Sequence, residues 1–264
     1  MDSTVPTTDK YSEPTVSVVI GVRGTARLEQ FKACIKALRS QIDVSYEVIV
    51  VEQSWHPAFA SIVPKDVIYV HQKCTSQDMP YNRSWALNRG AREAKGRILL
   101  LHDADMLLPK AALSHIVGVI DRGLEAVRLP RLIFYLDAES SEEVQRGENF
   151  FGVLGLERII ANNRTPIAVT KECYFSIGGH DERFYGWGAE DDEFMERLRT
   201  RNIGEGARLP IVHLWHESAA NDDARERNAL LLDRLSSTPT RDRIASLRNG
   251  GTGAEVPSSI WSRS

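Results

Sequence analysis

Apolar runs that do not alternate, separated by stretches of helical spacing, restrict this chain more than any other feature. VSVVIGV (16–22) is close to continuously apolar, the pattern of a parallel strand covered on both faces. Leu28, Phe31, Ile35 and Leu38 then recur at helical spacing, which predicts an amphipathic helix over 26–40. YEVIVVE (46–52), VIYVH (67–71) and RILLLHD (97–103) read as further strands, with a helix over 83–95 before the last of them. Pro109 sits where proline is tolerated, at the start of a helix over 110–121. Strand and helix in alternation predict an α/β fold: an open, mostly parallel sheet with helices on both faces. Ligands of such a sheet bind outside the carboxyl ends of the strands, where Arg23, Glu52 and Asp103 fall.

The second half is less regular. AVRLPRLIFYL (126–136), RTPIAVT (164–170) and RLPIVHLWH (208–216) read as strands, and 190–201 and 222–235 as helices. The stretch 139–162 is mixed and polar, and no internal repeat is evident. Residues 1–15 are polar, without the apolar core of a signal peptide. The segment 237–264 is rich in Ser, Thr, Pro, Arg and Gly and predicts a flexible tail. A single domain over 16–236 is therefore expected, after a flexible segment over 1–15, in two halves that meet at about 108.

A net charge of −3 offers no general attraction to nucleic acid or to anionic membranes. No window reaches the roughly 18 uninterrupted apolar residues of a membrane span. Cys34, Cys74 and Cys173 are odd in number and in no metal spacing, which predicts reduced thiols and a cytoplasmic protein.

Two constellations carry chemistry. Asp103 and Asp105 follow a buried-looking strand, and in extended backbone their side chains leave on the same face. Two carboxylates held close repel, so a cation or a proton must settle the charge. Mn²⁺, with Mg²⁺ as the alternative, prefers oxygen ligands and keeps open positions for phosphates. The plain alternative is a turn with Asx hydrogen bonds. His213 and His216 end another strand, and imidazole is an acceptable Mn²⁺ ligand. His216 at the strand end could complete a site begun by Asp105. An ideal strand puts His213 on the opposite face, so both histidines serve one metal only if the strand bends or ends near Leu214. Otherwise His213 is a hydrogen-bonded core histidine.

The second constellation is FYGWGAEDDEF (184–194), in which Trp187 lies between two glycines and four acids open a helix. First-turn acids complement the helix dipole, which accounts for one or two of them. An aromatic plane beside carboxylates also matches the apolar face and hydroxyl rim of a sugar. A carboxylate suffices as base for an alcohol if proton transfer is late and concerted with displacement at the sugar carbon.

With these motifs the chain resembles the β-1,4-galactosyltransferases and the wider set of GT-A glycosyltransferases that share their carboxyl-terminal module. Bacterial chondroitin-type polymerases and polypeptide N-acetylgalactosaminyltransferases belong to that set. The likeness runs from about Val16 to His216. VVIGVRG resembles the family's first strand, which implies Arg23 on a uridine diphosphate. EVIVVEQS implies Glu52 and Gln53 near the base, and YNRSWALNRGA implies Arg83 on the diphosphate or sugar. Asp103 and Asp105 match the Asp-x-Asp element, which implies Asp103 at the donor and Asp105 on the metal. GWGAEDDEF implies Trp187 as an acceptor contact, Asp191 as catalytic base, and Glu190 and Asp192 as flanking sugar contacts. His213 and His216 match the family's later His-x-x-His metal pair.

The resemblance implies an inverting, metal-dependent transferase that moves a hexose or N-acetylhexosamine from a UDP-sugar, UDP-galactose or UDP-N-acetylgalactosamine above others. The acceptor class stays open among glycan, glycolipid, peptide and small molecule. A retaining transferase on the same fold, a nucleotidyltransferase and an inactive carbohydrate- or nucleotide-binding module are the rival readings.

Overall fold

In the computed structural model of the chain the described residues are 13–146, 155–161, 165–204, 209–217 and 222–250. Most of the amino-terminal segment expected to be flexible, and the end of the expected tail from 251, lie outside them.

The apolar runs form the middle of a seven-stranded sheet. β1 (Val16–Val22) pairs in parallel with β2 (Tyr46–Ser54) on one side and β4 (Ile98–His102) on the other. β3 (Ile68–Lys73) extends the sheet beyond β2. β9 (Ile167–Thr170) runs antiparallel between β4 and β6 (Ala126–Arg128), and β10 (Ile203–Gly204) closes the edge. The order β10-β6-β9-β4-β1-β2-β3 reverses direction of progression at β1, so the crevice lies beyond the carboxyl ends of β1 and β4.

Both faces are covered, as the non-alternating runs require. On one face Val18 and Ile20 meet Phe31, Cys34 and Ile35 of α1 (Leu28–Leu38) and Leu113 and Ile116 of α3 (Ala112–Ile120). On the other, Val19, Ile49 and Leu99 meet Ala86, Leu87 and Ala91 of α2 (Arg83–Glu93), with α5 (Lys171–Ser176) and α6 (Glu190–Leu198) beyond. Gly90 costs α2 about 1 kcal/mol of helix propensity relative to alanine. A Cβ there would clash with Val19 Cγ1, so the glycine is what lets α2 lie close on β1.

The structure corrects the sequence reading in three places. A second, four-stranded sheet stands beside the first in the order β5-β11-β7-β8, formed by β5 (Met106–Leu107), β11 (Leu209–His213), β7 (Pro130–Leu136) and β8 (Leu156–Ala161). The apparent single strand 126–136 is thereby split: β6 stays in the large sheet and β7 crosses to the small one. Pro130 has no N–H to continue the ladder with β9, so pairing in the large sheet stops before it and β7 begins there. Within 139–162, α4 (Ala138–Arg146) and β8 are regular elements rather than mixed polar chain.

The third correction concerns the expected flexible tail. After α7 (Asp222–Ser236) the chain forms α8 (Thr240–Asn249), which packs on α6. Arg243 of α8 is 5% exposed and reaches Glu196 at 2.8 Å and Glu193 at 3.4 Å. Polar composition there conceals a helix held by these ion pairs and by Ile244, which packs against the core. All three cysteines are buried and free. Among the described residues no helix is long and apolar enough to cross a membrane.

Candidate active site and metal centre

β4 ends at His102, and the turn that follows separates the two carboxylates of the Asp-x-Asp element. Asp105 points towards β11, while Asp103 points towards α2. His213 is the last residue of β11, and the backbone N–H of Leu214 then donates to the Asp105 carbonyl at 2.9 Å. Because the strand stops there, His216 is not held to the opposite face. His216 Nε2 lies 3.2 Å from Asp105 Oδ2 and His213 Nε2 lies 3.7 Å from Oδ1. Among the described residues this trio is the one group whose potential ligand atoms all fall within 4.8 Å of one another.

One carboxylate and two imidazoles form a borderline donor set, suited to Mn²⁺ and other first-row ions better than to Mg²⁺. Asp105 is 3% exposed, and burial would raise its pKa. The His216 hydrogen bond and the fields of His213 and Arg27 outweigh that and hold it at about 2, so the carboxylate is ionised and available as a ligand. Arg27 Nη1 sits 2.9 Å from Asp105 Oδ2 and supplies positive charge in this state. The trio therefore fits a divalent cation.

Arg83 opens α2, just after Asn82, whose side chain caps the helix by accepting from the Trp85 N–H. The Arg83 guanidinium bridges Asp103, with Nη2 at 2.8 Å and Nε at 2.9 Å, and Asp191, with Nη1 at 3.0 Å. Burial works against its charge, but Asp103 and Asp191 more than offset this and hold its pKa above the ordinary value.

Asp191 is the second residue of α6, which follows the loop 184–189. Gly186 (φ +77°), Gly188 (φ +102°) and Ala189 (φ +68°) all take left-handed backbone there. That path leaves the Trp187 ring 50% exposed. Asn228 of α7 donates to the carbonyls of Tyr185 (3.0 Å) and Trp187 (3.3 Å), bracing the loop from behind.

Burial raises the Asp191 pKa and Asp103 adds to the rise, while Arg83 pulls it back; the net direction is upward. Burial and then Asp191 raise Glu190 to about 7. Glu193 has a separate role: it is 1% exposed and clamped by Arg197 (Nη2 to Oε2, 2.6 Å) and Arg243. Asp192 is half-buried on the same turn.

Of the other expected residues, Arg23 stands just after β1. Its Nη2 donates to the Gln77 carbonyl at 3.4 Å, and its buried Nη1 has no hydrogen-bond partner among the described residues. Glu52, expected near the base of the donor, lies near the end of β2. Its carboxylate is fully buried and accepts from the Ala58 and Phe59 N–H groups, the Tyr69 hydroxyl and the Ser54 hydroxyl. Those bonds outweigh the rise that burial causes and hold its pKa down. Glu52 shapes the loop after β2 and presents no free oxygen. Gln53 accepts from the Asn82 N–H at 2.7 Å and so ties the end of β2 to the start of α2.

Sequence reasoning missed Arg27, which lies in GVRGTAR without periodic or motif support. It also missed Tyr135 and Tyr81. Tyr135 stacks on His213, and the Tyr81 hydroxyl is buried under Gly21 without a hydrogen-bond partner among the described residues. The family model for "Glycosyltransferase like family 2" matches residues 17–210, roughly three quarters of the chain. The match ends before His213 and His216, so their place in the site rests on geometry. No curated protein matches the chain.

Proposed function

The chain belongs to the glycosyltransferase-like family 2, and from that premise we propose that it transfers a hexose or N-acetylhexosamine from a UDP-sugar to an acceptor hydroxyl with inversion. The observation that carries the proposal is the Asp103–Arg83–Asp191 bridge next to the Asp105–His213–His216 trio. It links a cation site, a half-buried arginine and a carboxylate of raised pKa in one crevice at the switch point of the sheet. The trio alone would equally suit non-haem iron chemistry; family membership favours group transfer.

Asp105, His213 and His216 would hold the cation, with Mn²⁺ preferred over Mg²⁺ because two of three ligands are nitrogens. When bound, the cation neutralises charge that develops on the departing diphosphate. Arg23, through its Nη1, Arg83 and Arg27 would bind the phosphates beside that site. Asp103 orients Arg83 and faces the donor. Trp187 offers its exposed ring to the acceptor, with Glu190 and Asp192 beside it. Asp191 takes the proton of the acceptor hydroxyl while that oxygen attacks the anomeric carbon. The bond from that carbon to the diphosphate oxygen breaks, and its electron pair leaves with UDP. A carboxylate of raised pKa is a better base here than one near 4.

Galactose and N-acetylgalactosamine are the favoured donors, on the sequence resemblance. The test is thermal stability against nucleotides and nucleotide sugars, each with Mn²⁺ and with chelator, followed by NMR of the product anomer. A ligand at 100 times its dissociation constant adds about 2.7 kcal/mol. A shift with UDP or a UDP-sugar that chelation removes is expected. No response to any uridine compound would sink the donor assignment, and a retained anomer would remove Asp191 as base.

A further inference from the structure

The small sheet brings one row of side chains into line with the cation trio. In register across its strands stand Met106 of β5, His213 of β11, Tyr135 of β7 and Arg158 of β8. Neighbouring strands lie about 4.8 Å apart, which is also the spacing at which flat side chains of one row stack. The Tyr135 ring lies on the His213 imidazole with centroids 4.3 Å apart and planes 25° from parallel. The Arg158 guanidinium lies over the Tyr135 ring at 4.3 Å.

The two histidines of the trio are held differently. Histidines that ligate metals usually have their ring plane set by a hydrogen bond from the other ring nitrogen. His216 has such a contact, from Nδ1 to the Glu217 carbonyl at 2.8 Å. His213 does not: its Nδ1 is buried and has no hydrogen-bond partner among the described residues. Its plane must be set by packing, and the face of Tyr135 is the nearer ring on it, the His216 ring lying 5.1 Å away and tilted by 50°.

We infer that Tyr135 is the positioning residue for His213: the stack turns the imidazole so that Nε2 faces Asp105, and Arg158 anchors Tyr135 from the solvent side. The inference rests on the proposal that the trio holds a cation. The ring, not the hydroxyl, does the positioning, so phenylalanine should serve as well as tyrosine.

The test is titration of the full chain with Mn²⁺ alone, followed by the electron paramagnetic resonance of free Mn²⁺. Spin-echo modulation then counts the imidazole nitrogens on the bound ion. Tyr135→Leu should weaken Mn²⁺ binding by about tenfold, the scale of losses at such supporting residues, and reduce the nitrogen signature from two imidazoles to one. Tyr135→Phe should stay within about twofold of the parent, since the stacking face is kept. Arg158→Met, on an exposed strand, should weaken binding by about two- to fivefold, the worth of an exposed cation–π contact.

Melting in chelator checks that each variant folds. If Tyr135→Leu does not fold, Arg158→Met with Tyr135→Phe decides. Failure of the parent to bind Mn²⁺ overturns the cation reading itself. Parent-like affinity and two imidazole signatures in Tyr135→Leu, or in Arg158→Met if that variant must decide, overturn the positioning role alone.

Discussion

Arg83 Nη1 lies 3.0 Å from Asp191 Oδ1, although 108 residues separate them in the chain. Each stands at the amino end of a helix, α2 and α6, and the same guanidinium holds Asp103. Both partners are largely shielded, with the arginine side chain 15% and the aspartate 28% exposed, so the pair is only weakly screened. The residue that would meet the diphosphate thus also sets the charge of the proposed base.

This pairing makes a prediction about pH. Arg83 favours ionised Asp191, so Arg83→Met should let the Asp191 pKa climb further. The acid limb of kcat/KM should then move to higher pH, and kcat/KM at neutral pH should fall by about 100-fold or more, as for loss of a preorganised charge contact. An acid limb that stays in place would separate Arg83 from the base.

Asp191→Asn keeps the size of the side chain and its place beside Arg83. Donor binding, read by Mn²⁺-dependent thermal shift, should persist, while the transfer rate should drop by about 10²- to 10⁴-fold, the usual worth of a general base. Near-parental turnover would move the base to Glu190 or elsewhere.

Asp105→Ala removes the sole carboxylate of the trio and leaves Arg27 without its partner. Mn²⁺-dependent stabilisation by UDP should disappear, and the metal-free protein should also be less stable because Arg27 and both imidazoles lose a buried acceptor. Isothermal titration with Mn²⁺ checks the first effect and urea unfolding the second.

Glu190 sets a stability trend with pH. Its folded pKa, about 7, lies above its ordinary value because burial and Asp191 oppose its charge. The folded state therefore holds a proton that the unfolded chain has released, and this group's contribution falls as pH rises from about 4.5 through 7. Glu190→Gln should flatten that part of the curve, measured as melting temperature between pH 5 and 8 without metal. An unchanged slope would assign the trend to other groups.

Arg197 is fully buried, donates to the carbonyls of Ile177 and Gly179 at 2.6 Å, and pairs with Glu193 at the foot of α6. Arg197→Leu strands Glu193 with Arg243 as its remaining partner. It should cost about 3–5 kcal/mol in urea unfolding, as for other half-broken buried pairs. A loss below about 1 kcal/mol would show that Arg243 compensates.

Much of the large sheet was legible because its signals are local. Non-alternating apolar runs mark β1, β2 and β4, and helical spacing marks α1, whatever the chain does elsewhere. The small sheet was not legible, because β5, β7, β8 and β11 come from distant segments and pair by register rather than by a shared pattern. α8 was hidden for a related reason: its buried contact is an arginine, and composition reads polar residues as solvated chain.

For the site, the sequence by itself determined which residue types were on hand and where strands would end: Arg23 after β1, Asp103 and Asp105 after β4, and acids in the first turn of α6. Bonding periodicity within an element is enough to specify that much. Tertiary structure alone decided their relations. It separated Asp105 from Asp103, stopped β11 at His213 so that His216 could join it, and turned Glu52 inward onto its loop. It also set Arg27 on Asp105 and Tyr135 on His213. The contacts of Asp105 with Arg27, His213 and His216, and of Tyr135 with His213, join residues roughly 80 to 110 positions apart, where no local preference reaches and only the packing of two sheets sets the distance.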